Sequence, residues 1–559
     1  MRQKVLITSA LPYSNGSLHF GHIAGAYLPA DAYARFERLL GKEVLYICGS
    51  DQYGVAITLS AELAGRTPEE QSSFYHQVNT DLFKKLGFSF DHFSKTTCSE
   101  HAPTVTEFFW DLKKNGHIEE REAEQLFSEK ENRFLADRYV VGTCPRCGYE
   151  EARGDECGRC GANYEATDLK NPRSKLTGFT LVSRKTKHYY LLFDHFKERL
   201  TNFLKTKGWK SNTMHFASSY IKEIKPRAIT RDLSWGVPVP HDKEGKVFYV
   251  WFDAPIGYIS ATQEWAKNKG DRELWKRYWY DPQTRYVQFI GKDNIPFHAI
   301  FFPAMIMGQN RPYKLVDELV ANEFLNFEGK QFSKSDGCFI ELSEFFEHFE
   351  PDQIRYTLAA NAPETADSEF TWKDFEMRCN VELVGKLGNF VNRVLVFVQN
   401  HTSGKVPPRG ELQDVDARFM NELSCFEKEI QESYATFRLR RVTALIMDLA
   451  SVCNGYFDVK TPWKDLKDES TRPMMETTIN LCQEGIKLLA LASSPLIPQA
   501  AQKMWEMLGR TTVLSEQLWE EVTKNPLKIG TKLPVPQILF KKVDWTLDKI
   551  TLMMKPGAA

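Results

Sequence analysis

The first fifty residues constrain the fold most. An apolar run over residues 4–10, built on Val5-Leu6-Ile7, leads into a turn-rich loop, Leu11-Pro12-Tyr13-Ser14-Asn15-Gly16. A helical pattern follows over 23–39, then a second apolar run, 43–48, ending at Gly49-Ser50-Asp51. Strand–helix–strand alternation predicts a parallel sheet, because the helical crossover returns the chain to the same sheet end. Ligands of such sheets bind beyond the strands' carboxyl ends. The polar residues just past each strand are therefore the first candidates for a site.

Two familiar phosphate-binding signatures are missing from that place. No Gly-x-Gly occurs, which excludes a dinucleotide fingerprint, and no Gly-Lys is followed by Ser or Thr, which excludes a P-loop. Two other short motifs stand out. His19-Phe20-Gly21-His22 opens the first helix, where free N–H groups favour anions. Ser333-Lys334-Ser335 sits in the Gly/Lys/Ser loop 328–337 and adds a mobile positive charge. Taken singly, the first also reads as a metal pair or two surface histidines, and the second as a polar loop.

With 559 residues the chain is expected to hold several domains. A net charge of −1 gives no support to a large nucleic-acid partner, so any such surface must be a local patch. Arg184, Lys185 and Lys187, or Arg438, Arg440 and Arg441, supply one or are solvated faces. No signal peptide is expected, because the apolar run after Arg2 and Lys4 soon meets Pro12. No stretch is expected to reach the length of an uncharged membrane span. Of eleven cysteines, seven stand singly. The other four form Cys144-Pro145-Arg146-Cys147 and Cys157-Gly158-Arg159-Cys160, nine residues apart, each pair followed by glycine (Gly148, Gly161). This pattern predicts a closed four-thiolate zinc site, structural rather than catalytic, in a chain of the reducing cytoplasm.

Residues 115–230 interrupt the strand pattern and read as an insertion. Strand-like signals return at 247–251 and 286–290, the second ending at Gly291-Lys292-Asp293. Asp253 and Pro255 are poor strand residues, so the segment after 251 is expected to be a loop at a strand end. From about 380 the text is helical, with apolar residues three and four apart over 381–399 and 418–449, and again over 470–508. Pro407-Pro408-Arg409-Gly410 marks a loop.

The segments Ala10 to His22, Tyr249-Val250-Trp251-Phe252-Asp253-Ala254-Pro255-Ile256-Gly257-Tyr258, and Gly291-Lys292-Asp293 with Phe297-His298 resemble the methionyl branch of the class I aminoacyl-tRNA synthetases. The likeness runs from residue 4 to about 510, and the two short motifs resemble that family's HIGH and KMSKS signatures. It implies an α/β fold: a Rossmann-like catalytic domain (1–114 and 231–328) split by an insertion (115–230) with a zinc knuckle at 141–166. A KMSKS-type loop and stem-contact region (329–380), an α-helical anticodon-binding bundle (381–545) and a tail (546–559) would follow. The implied reaction joins L-methionine, ATP and tRNA(Met), initiator and elongator, with Mg2+ accompanying ATP and Zn2+ in the knuckle. A cytoplasmic monomer away from membranes is expected.

The resemblance also assigns residues. His19, His22 and Lys334 would be catalytic. Asn15, Gly21, Arg231, Gly291, Asp293 and Lys334 would bind ATP. Ala10, Leu11, Tyr13, Trp251, Ala254, Pro255, Tyr258 and His298 would hold methionine, with Asp51 on its ammonium. Asn389, Arg393, Pro462 and Trp463 would read the anticodon. Read without the family, Trp251 and Tyr258 are equally residues of a sheet edge. Two departures stand out: Gln331 replaces the first lysine of the family's loop, and Gln52-Tyr53 replaces an acidic–histidine pair. A sibling ligase, a small-molecule adenylyltransferase and a non-catalytic RNA-binding relative are the competing readings.

Overall fold

The computed structural model describes residues 2–135, 137–154, 157, 159–160, 164–332 and 338–545. Gly158, Gly161, the Ser333-Lys334-Ser335 motif with Asp336 and Gly337, and the tail 546–559 lie outside the described residues. Strand Lys4–Ser9 is the centre of a five-stranded, all-parallel sheet. Glu43–Ser50 lies on one side of it and Arg285–Gly291 on the other, with His92–Lys95 and Glu318–Asn322 outermost. Both faces are covered, so Val5, Leu6 and Ile7 are all buried and the strand reads as a continuous apolar run. The chain leaves the central strand toward opposite sides in its two halves, which creates a crevice at that switch point.

The helical run from Phe20 to Leu39 packs on this sheet and includes a π turn at Ile23–Tyr27. Its Asp31 is fully buried. Burial alone would raise its pKa, but Arg35, Arg355 and bonds from Ser89 hold it far below the usual carboxylate range. Arg355, in helix Pro351–Ala360, is fully buried as well. Its guanidinium donates to Asp31 at 2.7 Å and to the carbonyls of Leu86, Pro495 and Leu496. Arg355 thus ties the first helix to the turn just past helix Arg472–Ser493. A single apolar core continues from Ile7, Phe20 and Tyr33 through Phe345 and Leu383 to Leu445 and Ile486, so sheet and bundle share it.

Three expectations are corrected. The helical text over 418–449 is two helices, Asp414–Ala435 and Leu439–Lys460, broken where Phe437 takes φ +61°. The strand signal at 247–251 is a two-residue strand, Val247–Phe248. Trp251 lies in the helical turn Val250–Asp253, which runs on through Ala254–Ile256 into helix Gly257–Asn268, so no loop follows the strand. The stretch Leu439–Asp465 is long and apolar enough to cross a membrane, and just over half of its apolar part is buried inside the protein, as a core helix is.

The insertion is built on a long antiparallel ladder, Ile118–Ser128 with Val182–Leu191. Across it Lys185 meets Glu122 and Lys187 meets Glu120, both at 3.5 Å, while Arg184 meets Glu129. Arg438 and Arg441 likewise meet Glu432 and Glu429. Both basic clusters are therefore faces of mixed charge.

Candidate functional site

A cleft of about 490 Å³ opens above the carboxyl ends of the central strands. Ala10, Leu11, Tyr13 and Asn15 enter it from the first strand's exit, His19, Gly21 and His22 from the helix start, and Asp51 from the end of the second strand. Trp251, Ala254, Pro255 and Tyr258 form one wall, and Gly291, Asp293 and His298 another. Asp51 is fastened by its backbone, which accepts from Ser14 N–H and donates to the Pro12 carbonyl. Its side chain is 2% exposed and accepts from Tyr53 N–H.

The end nearest Asp51 is aromatic and rigid. Trp251 lies flat on Phe297, with ring centres 3.5 Å apart and planes 4° from parallel, and Tyr13 meets it edge-on at 6.2 Å. His298 Nδ1 is 2.9 Å from the Asn294 carbonyl, which can only accept, so Nδ1 carries the proton. Nε2 then accepts from the Tyr258 hydroxyl at 2.9 Å. Burial pulls the His298 pKa down to about 4, which keeps this tautomer neutral. A Cβ at Gly257 would lie 2.7 Å from Leu11 Cδ1, so the glycine lets Leu11 pack closely there.

The other end is more open. His19 and His22 have ring centres 3.7 Å apart. His22 Nδ1 accepts from His19 N–H at 3.3 Å, which leaves Nε2 as the proton carrier of the neutral ring. His22 opens to the cleft on one side and is walled by protein elsewhere, and this desolvation pulls its pKa to about 4. A Cβ at Gly21 would sit 3.0 Å from the His19 ring, so glycine is what lets that ring take its place. On its far face His19 stacks on Phe332 at 4.7 Å. Phe332 and Gln331, both lining the cleft, thus set the start of the loop that carries Lys334 against the first histidine.

Arg231 stands apart from the cleft lining. Its guanidinium lies 3.8 Å above the Tyr249 ring and donates to the carbonyls of Ala228 and Thr230. Among the described residues, the cation that lines the cleft is Arg138, from the insertion, which sequence reasoning missed. The insertion is seated on helix Val55–Ala64, just past Asp51, where Arg133 and Tyr139 both bond Glu62 at about 3 Å. Glu323, Phe324 and Asn326 were also missed, although they follow strand Glu318–Asn322 and obey the strand-end rule.

Cys144, Cys147, Cys157 and Cys160 converge, their sulfurs all within 4.8 Å of one another. The Cys144–Cys160 and Cys147–Cys157 separations are 3.9 and 3.6 Å. A disulfide needs about 2 Å. Zinc–sulfur bonds of about 2.3 Å in a tetrahedron place sulfurs about 3.8 Å apart. Burial opposes ionisation of Cys144, but N–H groups of Cys147 and Arg146 outweigh it and pull the thiol to about 6. The cluster is compatible with a four-thiolate zinc site.

In the bundle, Asn389 begins helix Asn389–His401 and is exposed. Arg393, one turn on, bonds Asp458 at 2.6 Å and lies 4.8 Å above the Phe457 ring. Trp463, 41% exposed, packs against the same ring at 5.7 Å, next to buried Pro462. Phe457 therefore gathers Arg393 and Trp463 from two helices into one exposed face.

A parallel sheet with this cleft at its switch point, joined to a helical bundle, fits the class I aminoacyl-tRNA synthetases, and the family match below places the chain in that class. Residues 5–395 match the family model for "tRNA synthetases class I (M)", and 406–549 match the anticodon binding domain of methionyl tRNA ligase. A methionine–tRNA ligase of Protochlamydia amoebophila (strain UWE25) is 59% identical over 545 residues, covering 97% of this chain and 78% of that one. Another from Chlamydia pneumoniae is 51% identical over 553 residues, covering 97% and 100%. The solved Mycobacterium tuberculosis methionyl-tRNA synthetase in complex with methionyl-adenylate superposes with a TM-score of 0.80 at 25% identity, covering 97% of this chain and 100% of that one. The chain belongs to the methionine–tRNA ligase family.

Proposed function

We propose that the chain activates L-methionine with ATP and passes the methionyl group to tRNA(Met), initiator and elongator alike. The carboxylate of methionine attacks the α-phosphorus, the bond to the β-phosphate oxygen breaks, and pyrophosphate leaves. The 3′-terminal ribose hydroxyl of the tRNA then attacks the methionyl carbonyl, and AMP leaves. The observation that carries this reading is the meeting of Asp51, the Trp251–Phe297 wall and the His19–His22 pair in one cleft.

Asp51 takes the ammonium in a buried place where a charge-assisted bond is strong. Trp251, Tyr13, Ala254, Pro255 and Tyr258 surround the thioether, which favours aromatic edges. Ala10 and Leu11 hold the backbone side. The Tyr258 and His298 protons are already committed to each other and to Asn294. The pocket therefore selects by shape and dryness. Gly291 and Asp293 face the ribose, while Asn15, Gly21 and the N–H groups of His19 and His22 face the phosphates. Lys334 would add charge as pyrophosphate departs, and Mg2+ accompanies ATP; positioning and electrostatics do the rest. Zinc, held by Cys144, Cys147, Cys157 and Cys160, would have no open position and so would act on the shape of the insertion. Asn389 and Arg393 are placed to bond anticodon base edges, and Pro462-Trp463 to stack on an unpaired base. The enzyme works as a cytoplasmic monomer.

The test is ATP–pyrophosphate exchange with each common amino acid supplied singly. Exchange driven by methionine, with only trace rates from the others, is the expected result. Exchange driven by another amino acid would overturn the pocket assignment.

A further inference from the structure

One wall of the cleft has no task in the reaction above. Strands Arg285–Gly291 and Glu318–Asn322 are parallel neighbours, with Gly291 opposite Asn322. The residues that follow Asn322 therefore run beside Gly291 and Asp293, and Glu323, Phe324, Leu325 and Asn326 all line the cleft. The same wall passes close to the start of the first helix, where a Cβ at Gly21 would stand 3.3 Å from the Leu325 carbonyl oxygen.

The two polar side chains of this wall are in different states. The Glu323 carboxylate is taken: Oε2 accepts from Lys292 Nζ at 2.8 Å, and Oε1 accepts from Asn212 Nδ2. Asn326 is the middle residue of strand Leu325–Phe327. Leu325 and Phe327 are 3% and 1% exposed and belong to the apolar core, so the amide between them is directed to the opposite face, the one that lines the cleft. Its Oδ1 is buried and has no hydrogen-bond partner among the described residues. A buried amide oxygen without a donor is costly, which points to a ligand that brings one.

The substrates offer few donors. Phosphate oxygens only accept. The methionine ammonium is placed at Asp51, and the ribose hydroxyls meet the acceptor Asp293 on the adjoining wall. The donor that remains is the 6-amino group of adenine, and the base hangs from the ribose beside residues 323–326. A side-chain amide carries an acceptor and a donor side by side, and adenine presents its amine next to a ring nitrogen that accepts, so two bonds form together.

We propose that Asn326 reads the base of the nucleotide, its amide accepting from the 6-amino group of adenine and donating to the neighbouring ring nitrogen. The proposal rests on the reading of the cleft as an ATP site with Gly291 and Asp293 at the ribose.

The experiment is pyrophosphate exchange at saturating methionine, on the full chain, with ATP or with purine riboside triphosphate, which carries hydrogen in place of the 6-amino group. The absence of exchange with ATP in the parent would defeat the underlying reading by itself. The parent is expected to show a KM about tenfold lower for ATP than for the analogue; a parent that does not distinguish them overturns the proposal and leaves the underlying reading intact. Asn326→Ala is expected to raise the KM for ATP about tenfold and to leave that for the analogue within about twofold, so that the preference disappears. An equal rise for both nucleotides means a packing role, and an unchanged preference means that the amine is read elsewhere; either overturns the proposal. Asn326→Asp keeps the acceptor, and a preference for ATP of about threefold or more is expected to survive in it; its loss counts against the assignment as well. Should Asn326→Ala not fold, the near-isosteric Asn326→Leu carries the same expectations.

Discussion

The two ends of the cleft are built on opposite plans. At the Asp51 end, Tyr258 is 1% exposed and His298 4%, and the protons of both are spoken for by the fold. At the other end His22 and Asp293 are exposed, and Phe332 stacks on both His19 and Phe327. A site that must tell one apolar side chain from another needs a wall that does not yield. A site that must admit a nucleotide and release pyrophosphate needs an open mouth. The comparison separates binding from chemistry, and substitutions at the two ends should separate KM from kcat.

The sharpest way to break this division is Lys334→Ala. Adenylate formation should slow by about a hundred- to a thousandfold with methionine KM nearly unchanged, as for loss of one transition-state donor. Single-turnover activation measures it, and a KM effect of similar size would erase the distinction. Trp251→Ala should do the reverse, raising methionine KM by about thirtyfold through loss of the Phe297 stack, with kcat changed far less. Zinc removal by a chelator, or Cys157→Ser, should act on neither end directly. A lower Tm and a loss of activity of about fivefold are expected, because the knuckle packs with helix Val55–Ala64 in one apolar cluster and the insertion lends Arg138 to the cleft. Metal content and a thermal melt check this together.

One histidine from each end of the cleft predicts a pH profile. His298 and His22, held near 4 rather than 6.5, favour the folded state fully above 6.5, and that contribution is lost as pH falls through about 4. Methionine KM should therefore vary less than about twofold between pH 6.5 and 8.5, while Tm declines as pH drops from 6.5 toward 4. The smallest effect is expected from Gln331→Lys, which adds a charge to an exposed loop and should raise the activation rate by no more than about threefold. A larger gain would mean that the open end lacks a cation its chemistry wants.

Much of this plan was legible in the residues. The parallel sheet followed from Val5-Leu6-Ile7 and 43–48, because strands covered on both faces are apolar throughout. The strand-end rule led to Asp51 and to Gly291-Lys292-Asp293. It was not carried to Glu318–Asn322, and Glu323 was overlooked. The segment after Val247 was misread because valine, phenylalanine and tryptophan suit a strand, whereas Pro255 in a first turn is a helix-start signal. The helix break at Thr436-Phe437-Arg438 was invisible, since no glycine or proline marks it and the apolar spacing runs on. Arg138 could not be read at all. Its place depends on how the insertion docks on Glu62, a contact between segments more than seventy residues apart, and no local pattern records it.

The buried Asp31–Arg355 pair has a consequence for anyone who would cut or recombine this chain. The helix that opens at Phe20 is, at Asp31, held by an arginine whose other bonds reach the carbonyls of Pro495 and Leu496. A boundary drawn near residue 380 looks natural in a sequence diagram, yet it would strip two acceptors from a fully buried guanidinium and open a shared apolar core. A transplanted helical bundle would have to bring Pro495 and Leu496 in register with Arg355, or the recipient's catalytic half would inherit an unsatisfied cation at its centre. Modular in name, the two halves are in material terms a single piece.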